Sequence, residues 1–121
     1  IKGLYFDALS DFNRSIELDS LDKLGFNNRG LCLYYLRRYD EAIIDFKKAL
    51  SVKMDDSFYE NFDTDAYTYN NVGNVYFDLE NLPEACKNWR TAIQNGYQYK
   101  KEWKAMYHID DPVELVSKYC K

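Results

Sequence analysis

Histidine and long apolar runs are scarce in this sequence, and each scarcity removes a class of function. His108 is the only histidine, so a Ser-His-Asp or Cys-His relay would have a single residue to be built on. The five glycines form neither a phosphate-cradling loop nor a dinucleotide fingerprint. Cys32, Cys86 and Cys120 are odd in number and lack CxxC pairing. They suggest neither a disulfide framework nor a zinc site, and they fit a reducing compartment such as the cytoplasm. No apolar run approaches the roughly 20 residues that cross a bilayer, and no basic-then-apolar leader opens the chain. Membrane insertion is therefore not expected. A formal net charge of −4 is the opposite of the basic footprint that phosphate backbones require, so nucleic acid is not an expected partner.

What is present is enough for a folded domain. The 121 residues are 46% hydrophobic and 30% charged, a balance that offsets ordering entropy and predicts one continuous architecture. Self-comparison locates its unit. YFDALSDFNRSI, YDEAIIDFKKAL and LPEACKNWRTAI share a small–aromatic–small spacing at Ala8, Phe12 and Ser15, at Ala42, Phe46 and Ala49, and at Ala85, Trp89 and Ala92. Upstream of the second and third copies stand FNNRGLCLYYLRRY and YNNVGNVYFDLENL, both with Asn-Asn-x-Gly. Ala8 and Ala42 lie 34 residues apart and Ala42 and Ala85 lie 43 apart, the second interval longer by one inserted loop, and a unit of this size recurring along a chain signals stacked helix hairpins. Gly30 and Gly73 fall inside the first helices, where glycine costs about 1 kcal/mol against alanine. Close approach of the paired helices, with Ala42 and Ala85 opposite, is the expected compensation.

This order of glycine, aromatic and Ala-x-x-x-aromatic residues resembles the tetratricopeptide repeat family. The 34-residue interval sets it apart from the longer Sel1-like repeats. The resemblance implies an all-α, right-handed solenoid of stacked helix-turn-helix repeats with C-terminal capping helices. The array is expected over 1–97: a partial repeat at 1–20, a second at 23–54 and a third at 66–97, separated by an inserted acidic loop at 55–65. Ser20, Met54 and Tyr97 stand where the family often has proline. Asp63 and Asp65 lack the glycine and glutamate spacing of a calcium loop. Asn95-Gly96 reads as a helix stop. Tyr99, Trp103, Met106 and Tyr107 then predict an amphipathic helix, and Asp111, Pro112 and Glu114 begin a last one. These helices, within 98–121, are expected to cap the array.

The resemblance places the first helix of each repeat along a concave surface. Leu24, Asn27, Asn28, Leu31 and Tyr35 are expected there from the second repeat, and Tyr67, Asn70, Asn71, Asn74 and Asp78 from the third. Each set lies on one helical stripe. Asparagine donates and accepts, so such a stripe can pair with the backbone of an extended peptide whatever its side chains, with Leu24, Leu31, Tyr35 and Tyr67 as anchors. Some members of the family grip a terminal carboxylate with cations. Asn28 falls where a clamp asparagine would, but Leu24, Tyr67 and Asn71 occupy the cation positions, so that activity is not expected. Glu41, Asp45, Glu80 and Glu84 fall around turns or exposed faces without the pairing acid–base chemistry needs, and Cys32 and Cys86 read as small buried hydrophobes.

The expected function is non-enzymatic binding of a protein or peptide, with no metal and no cofactor. A self-assembling scaffold, or the regulatory domain of a larger enzyme, are the alternatives. The opening residues read as a second helix without its first, the start of a fragment. Tyr5, Ala8, Leu9, Phe12 and Ile16 would then form an uncovered stripe through which a homodimer could form.

Overall fold

The computed structural model describes residues 2–18, 23–52, 64–107 and 109–121. Most of the expected acidic loop, with Ser20, Met54 and His108, lies outside them. Among the described residues seven helices follow in chain order: α1 (Lys2–Leu18), α2 (Lys23–Tyr35), α3 (Tyr39–Ser51), α4 (Thr64–Asp78), α5 (Leu82–Gln94), α6 (Glu102–Tyr107) and α7 (Pro112–Tyr119). No strand occurs among the described residues. The chain divides into two compact units, residues 1–64 and 65–121.

In unit 1, α2 and α3 form a hairpin. Phe46, Ala42 and Ala49 of α3 are fully buried, at the spacing that lines one face of a helix. Gly30 is explained by the ring of Phe46: a Cβ there would come within 2.7 Å of Phe46 Cε1. Unit 2 repeats the device. A Cβ on Gly73 would come within 2.6 Å of Trp89 Nε1 and closer still to Cδ1. The residue that requires glycine is therefore the aromatic of the second helix, and not the alanine expected opposite it. The small residues Ala42 and Ala85, both wholly buried, complete the contact.

Both hairpins turn in the same way. The N–H of Arg38 bonds to the Leu33 carbonyl at 2.8 Å and that of Arg37 to Tyr34 at 2.9 Å. Asn81 and Glu80 bond to Tyr76 and Phe77 at 2.8 and 3.0 Å. This paired 6→1 and 5→2 arrangement satisfies the last helical carbonyls, and it places one residue in the left-handed region. Here those residues are Arg37 and Glu80, each with φ 61°. The third such ending, after α5, uses Gly96 at φ 87°, with Tyr97 bonded to Ala92 and Gly96 to Ile93. The expected stop at Asn95-Gly96 is found there.

α5 begins with Asn81, whose side chain accepts the Glu84 N–H at 3.3 Å, and with Pro83 in the first turn. α7 begins in the expected way: Asp111 accepts the Val113 N–H at 3.0 Å and Pro112 follows it. The helix expected from Tyr99 is shorter, starting at Glu102. Tyr99 stands before it and donates its hydroxyl proton to the Ile109 carbonyl at 2.7 Å. That bond fixes the chain outside helical geometry.

Two expectations are corrected. The thiols of Cys86 and Cys120 are joined in a disulfide with Cα atoms 5.7 Å apart. The 34-residue separation hides a pair that only the packing of α7 on α5 brings together. Tyr5, Ala8, Leu9, Phe12 and Ile16 are half-buried, not uncovered, because α1 packs on α2, with Tyr5 stacked on Tyr35 at 5.0 Å.

Gly73→Ala is expected to destabilise the fold. The clash with a fully buried indole costs about 1–3 kcal/mol, more than the ~1 kcal/mol that helix propensity returns. Trp89→Ala removes that ring and is expected to cost about 3–5 kcal/mol. Urea denaturation followed by circular dichroism measures both, and an unchanged midpoint for Trp89→Ala contradicts this packing. Glu80→Gly relieves a left-handed backbone, and an increase of about 0.5–1 kcal/mol is expected in the same measurement.

Candidate functional site

The face of α2 is set by what holds its other sides. Lys23, at the amino end of α2, is buried. Its Nζ donates to the carbonyls of Ala49 at 2.5 Å and Val52 at 2.8 Å. The Ala49 carbonyl also accepts the Val52 N–H at 3.4 Å, and an ammonium at the end of α3 meets the negative end of the helix dipole. Arg29 grips Asp45 through two bonds, Nε to Oδ2 at 2.6 Å and Nη2 to Oδ1 at 2.8 Å. Its Nη1 donates to Asn13 Oδ1 at 3.1 Å. One guanidinium thus ties α2 to both α3 and α1. The bond to the Asp45 carboxylate raises the pKa of Arg29 further above its ordinary value, against the opposing effect of burial. Asp45, read from sequence as an exposed or turn carboxylate, is in fact buried and paired. The partner that makes this affordable lies 16 residues away on another helix.

With those sides fixed, α2 turns Leu24, Asn27, Asn28, Leu31 and Tyr35 to its remaining face. Leu24 is exposed, and the other four are half-buried. Tyr35 is not a free anchor, since Tyr5 of α1 lies over it and burial raises its hydroxyl pKa. The side chain of Asn28 makes no hydrogen bond among the described residues. Leu24, Asn28 and Leu31 therefore set an amide with unused donors and acceptor between two apolar side chains on successive turns.

Unit 2 carries the same pattern 43 residues later, at Tyr67, Asn70, Asn71, Asn74 and Asp78, with a different outcome. Tyr67 meets Tyr97 at 4.8 Å and the edge of Trp103 at 6.1 Å between ring centroids. Asn70 is buried: its Nδ2 donates to the Tyr97 hydroxyl at 3.4 Å, while its Oδ1 has no partner. Burial raises the pKa of Tyr97 strongly, so the hydroxyl stays protonated. Asn74 Oδ1 accepts the Trp89 indole N–H at 3.1 Å, which leaves its NH2 group. Asn71 is half-buried and Asp78 exposed. Tyr97 and Trp103 are the residues of this region that the repeat pattern does not reveal, because they come from the segment after α5. The excess of aromatics there is the one sequence signal that marks them.

The described residues hold no group of three or more His, Cys, Asp or Glu side chains placed to bind a metal. No described helix is long and apolar enough to cross a membrane. What the faces offer is hydrogen bonding and apolar contact, the means of recognition.

Models of the tetratricopeptide repeat match residues 24–53 and 66–94. The chain is also 30% identical over 92 residues to the Protein STIP1 homolog of Dictyostelium discoideum. That match covers 76% of this chain and 16% of the relative's length.

Asp45→Ala strips a buried partner from Arg29. A loss of about 2–3 kcal/mol is expected, below the value for a fully buried pair because Arg29 keeps some access to water. A double-mutant cycle with Arg29→Met measures the pairwise part, and additive effects of the two substitutions contradict the coupling.

Proposed function

We propose that this chain, whose residues 24–53 and 66–94 are tetratricopeptide repeats and which is thereby a protein–protein interaction module, holds an extended segment of a partner protein on α2, the first helix of a repeat. The face of α2 is the principal contact. The observation that carries this reading is the uncommitted Asn28 amide flanked by Leu24 and Leu31. An extended segment presents backbone N–H and C=O groups that its own conformation leaves unpaired, and a primary amide can satisfy one of each. Leu24 and Leu31 supply apolar contact on either side, the polar-between-apolar arrangement that suits a binding face better than a core. Tyr67 and Asn70, covered by Tyr97 and Trp103, serve the fold first.

The role is non-catalytic in this reading. The stripe from Tyr5 to Ile16 is half-buried, with Tyr5 stacked on Tyr35 of α2, and a homodimer through α1 is not proposed.

Selection of peptides from a random display library on the immobilised chain tests the proposal. Asn28→Ala is expected to weaken a selected ligand by about 0.5–1.5 kcal/mol, roughly 2- to 13-fold. Leu31→Ser should weaken it as well, while Lys47→Ala on the exposed side of α3 should not. The melting temperature of Asn28→Ala should stay close to that of the parent. Selected peptides that bind Asn28→Ala and Leu31→Ser as tightly as the parent rule out this face.

A further inference from the structure

The last helix is held in an unusual way. α7 has eight residues, too few to be stable alone in water. Of its residues only Pro112 is buried, and Val113 is largely exposed. Pro112 is buried at its start, while its ring, hydrogen-bonded and covalent attachments to the α4–α5 hairpin lie at its end. Tyr119 meets Phe77 with ring centroids 4.9 Å apart, Arg90 Nη2 donates to the Cys120 carbonyl at 3.2 Å, and Cys120, the residue capping α7, is bonded to Cys86. Of these the Arg90 contact is exposed and the ring pair half-covered. The hairpin's own closure, Trp89 over Gly73 with its N–H on Asn74, does not pass through α7.

We propose that the Cys86–Cys120 bond is a redox-operated clasp. Oxidised, it holds α7 over the Phe77 edge of the α4–α5 hairpin; reduced, it frees α7 and uncovers that edge while the hairpin stays folded. The two cysteines differ in exposure, since Cys86 is buried in α5 and Cys120 is half-buried at a helix end. A dithiol reductant therefore enters at Cys120. Its thiolate attacks Cys120 Sγ, the bond to Cys86 breaks, and Cys86 leaves as a thiolate that takes up a proton. The second thiol of the reductant then attacks its own sulfur in the mixed disulfide and releases Cys120 as a thiolate, which is protonated in turn. Two protein thiols are formed and one dithiol becomes a disulfide, so two electrons pass to the protein. Cys32 takes no part: it is buried in the other unit, and burial raises its pKa, which keeps it as the unreactive thiol.

The test uses the whole chain in buffers of reduced and oxidised dithiothreitol, with hydrogen–deuterium exchange read by mass spectrometry and the bond located by peptide mapping. In the oxidised state Cys86 pairs with Cys120, and Cys32 remains free. On reduction without denaturant, amide exchange over 113–119 is expected to accelerate by about thirtyfold or more, the scale set by the lower end of a disulfide's usual stabilisation. Exchange over 82–94 should keep its protection. Cys120→Ser in oxidising buffer should show the same fast exchange over 113–119. Equal protection of 113–119 in the two redox states overturns the clasp. So does loss of protection over 82–94 in step with it, which makes the bond a structural staple. A bond that resists reduction until the chain is unfolded overturns it equally.

Discussion

Each hairpin depends on one aromatic ring set directly against a glycine of the opposing helix. Phe46 rests on Gly30 and Trp89 on Gly73, at distances that leave no room for even a methyl group. Glycine in a helix is locally unfavourable, yet it lets two helix axes approach closely enough for the ring to be buried on all sides. The flanking alanines follow from the same constraint, because a larger side chain at Ala42 or Ala85 would hold the helices apart. The small–aromatic–small pattern is thus the imprint of a single contact, and its recurrence is why the period can be read at all.

Around that shared contact the two units diverge. Position by position, Arg29 and Asp45 of unit 1 correspond to Val72 and Asn88 of unit 2, where no ion pair is possible. Val72 is buried, and Asn88 donates to the Glu84 carbonyl of its own helix at 2.8 Å. The charged pair belongs with α1, since the same guanidinium also reaches Asn13. Ile43, at the edge of the unit 1 core, corresponds to Cys86, which spends its side chain on a covalent link to α7. One hairpin is joined to the helix before it by a guanidinium, the other to the helix after it by sulfur. Equivalent hairpins therefore carry opposite sensitivities, one to ionic conditions and one to reductants.

The helices and their burial were legible from local spacing because hydrophobic period and capping are properties of neighbouring residues. Phe46, Trp89, the Asp111 cap and the Gly96 stop belong to that class. Contacts joining residues from separate helices were not legible. The pairing of Cys86 with Cys120, of Arg29 with Asp45, and of Lys23 with the end of α3 leaves no periodic trace. The candidate binding stripe fell between these cases. Its membership follows from the helix period, but which of its residues are already engaged depends on α1 and on the segment carrying Tyr97 and Trp103. Tyr35 and Tyr67 look like anchors in sequence and lie against other tyrosines in the fold. The left-handed turns at Arg37 and Glu80 leave no mark in the sequence for a different reason: hydrogen bonding overrides the preference for glycine that would announce them.

The chain's two tryptophans, Trp89 and Trp103, both lie in the second unit. The first unit is rich in tyrosine but contains no indole. Emission excited at the red edge of the absorption band, where tyrosine is transparent, therefore originates from residues 65–121 alone. Trp89 is fully enclosed and donates its N–H to a carbonyl oxygen, whereas Trp103 is half-buried beside Lys100. The spectrum is consequently a sum of one shielded and one partly hydrated emitter, and a water-soluble quencher distinguishes them. Far-ultraviolet ellipticity, by contrast, counts the helices of both units. Superimposing the two signals along a single unfolding curve reports whether the halves of this chain melt as one body or in succession, with no label introduced.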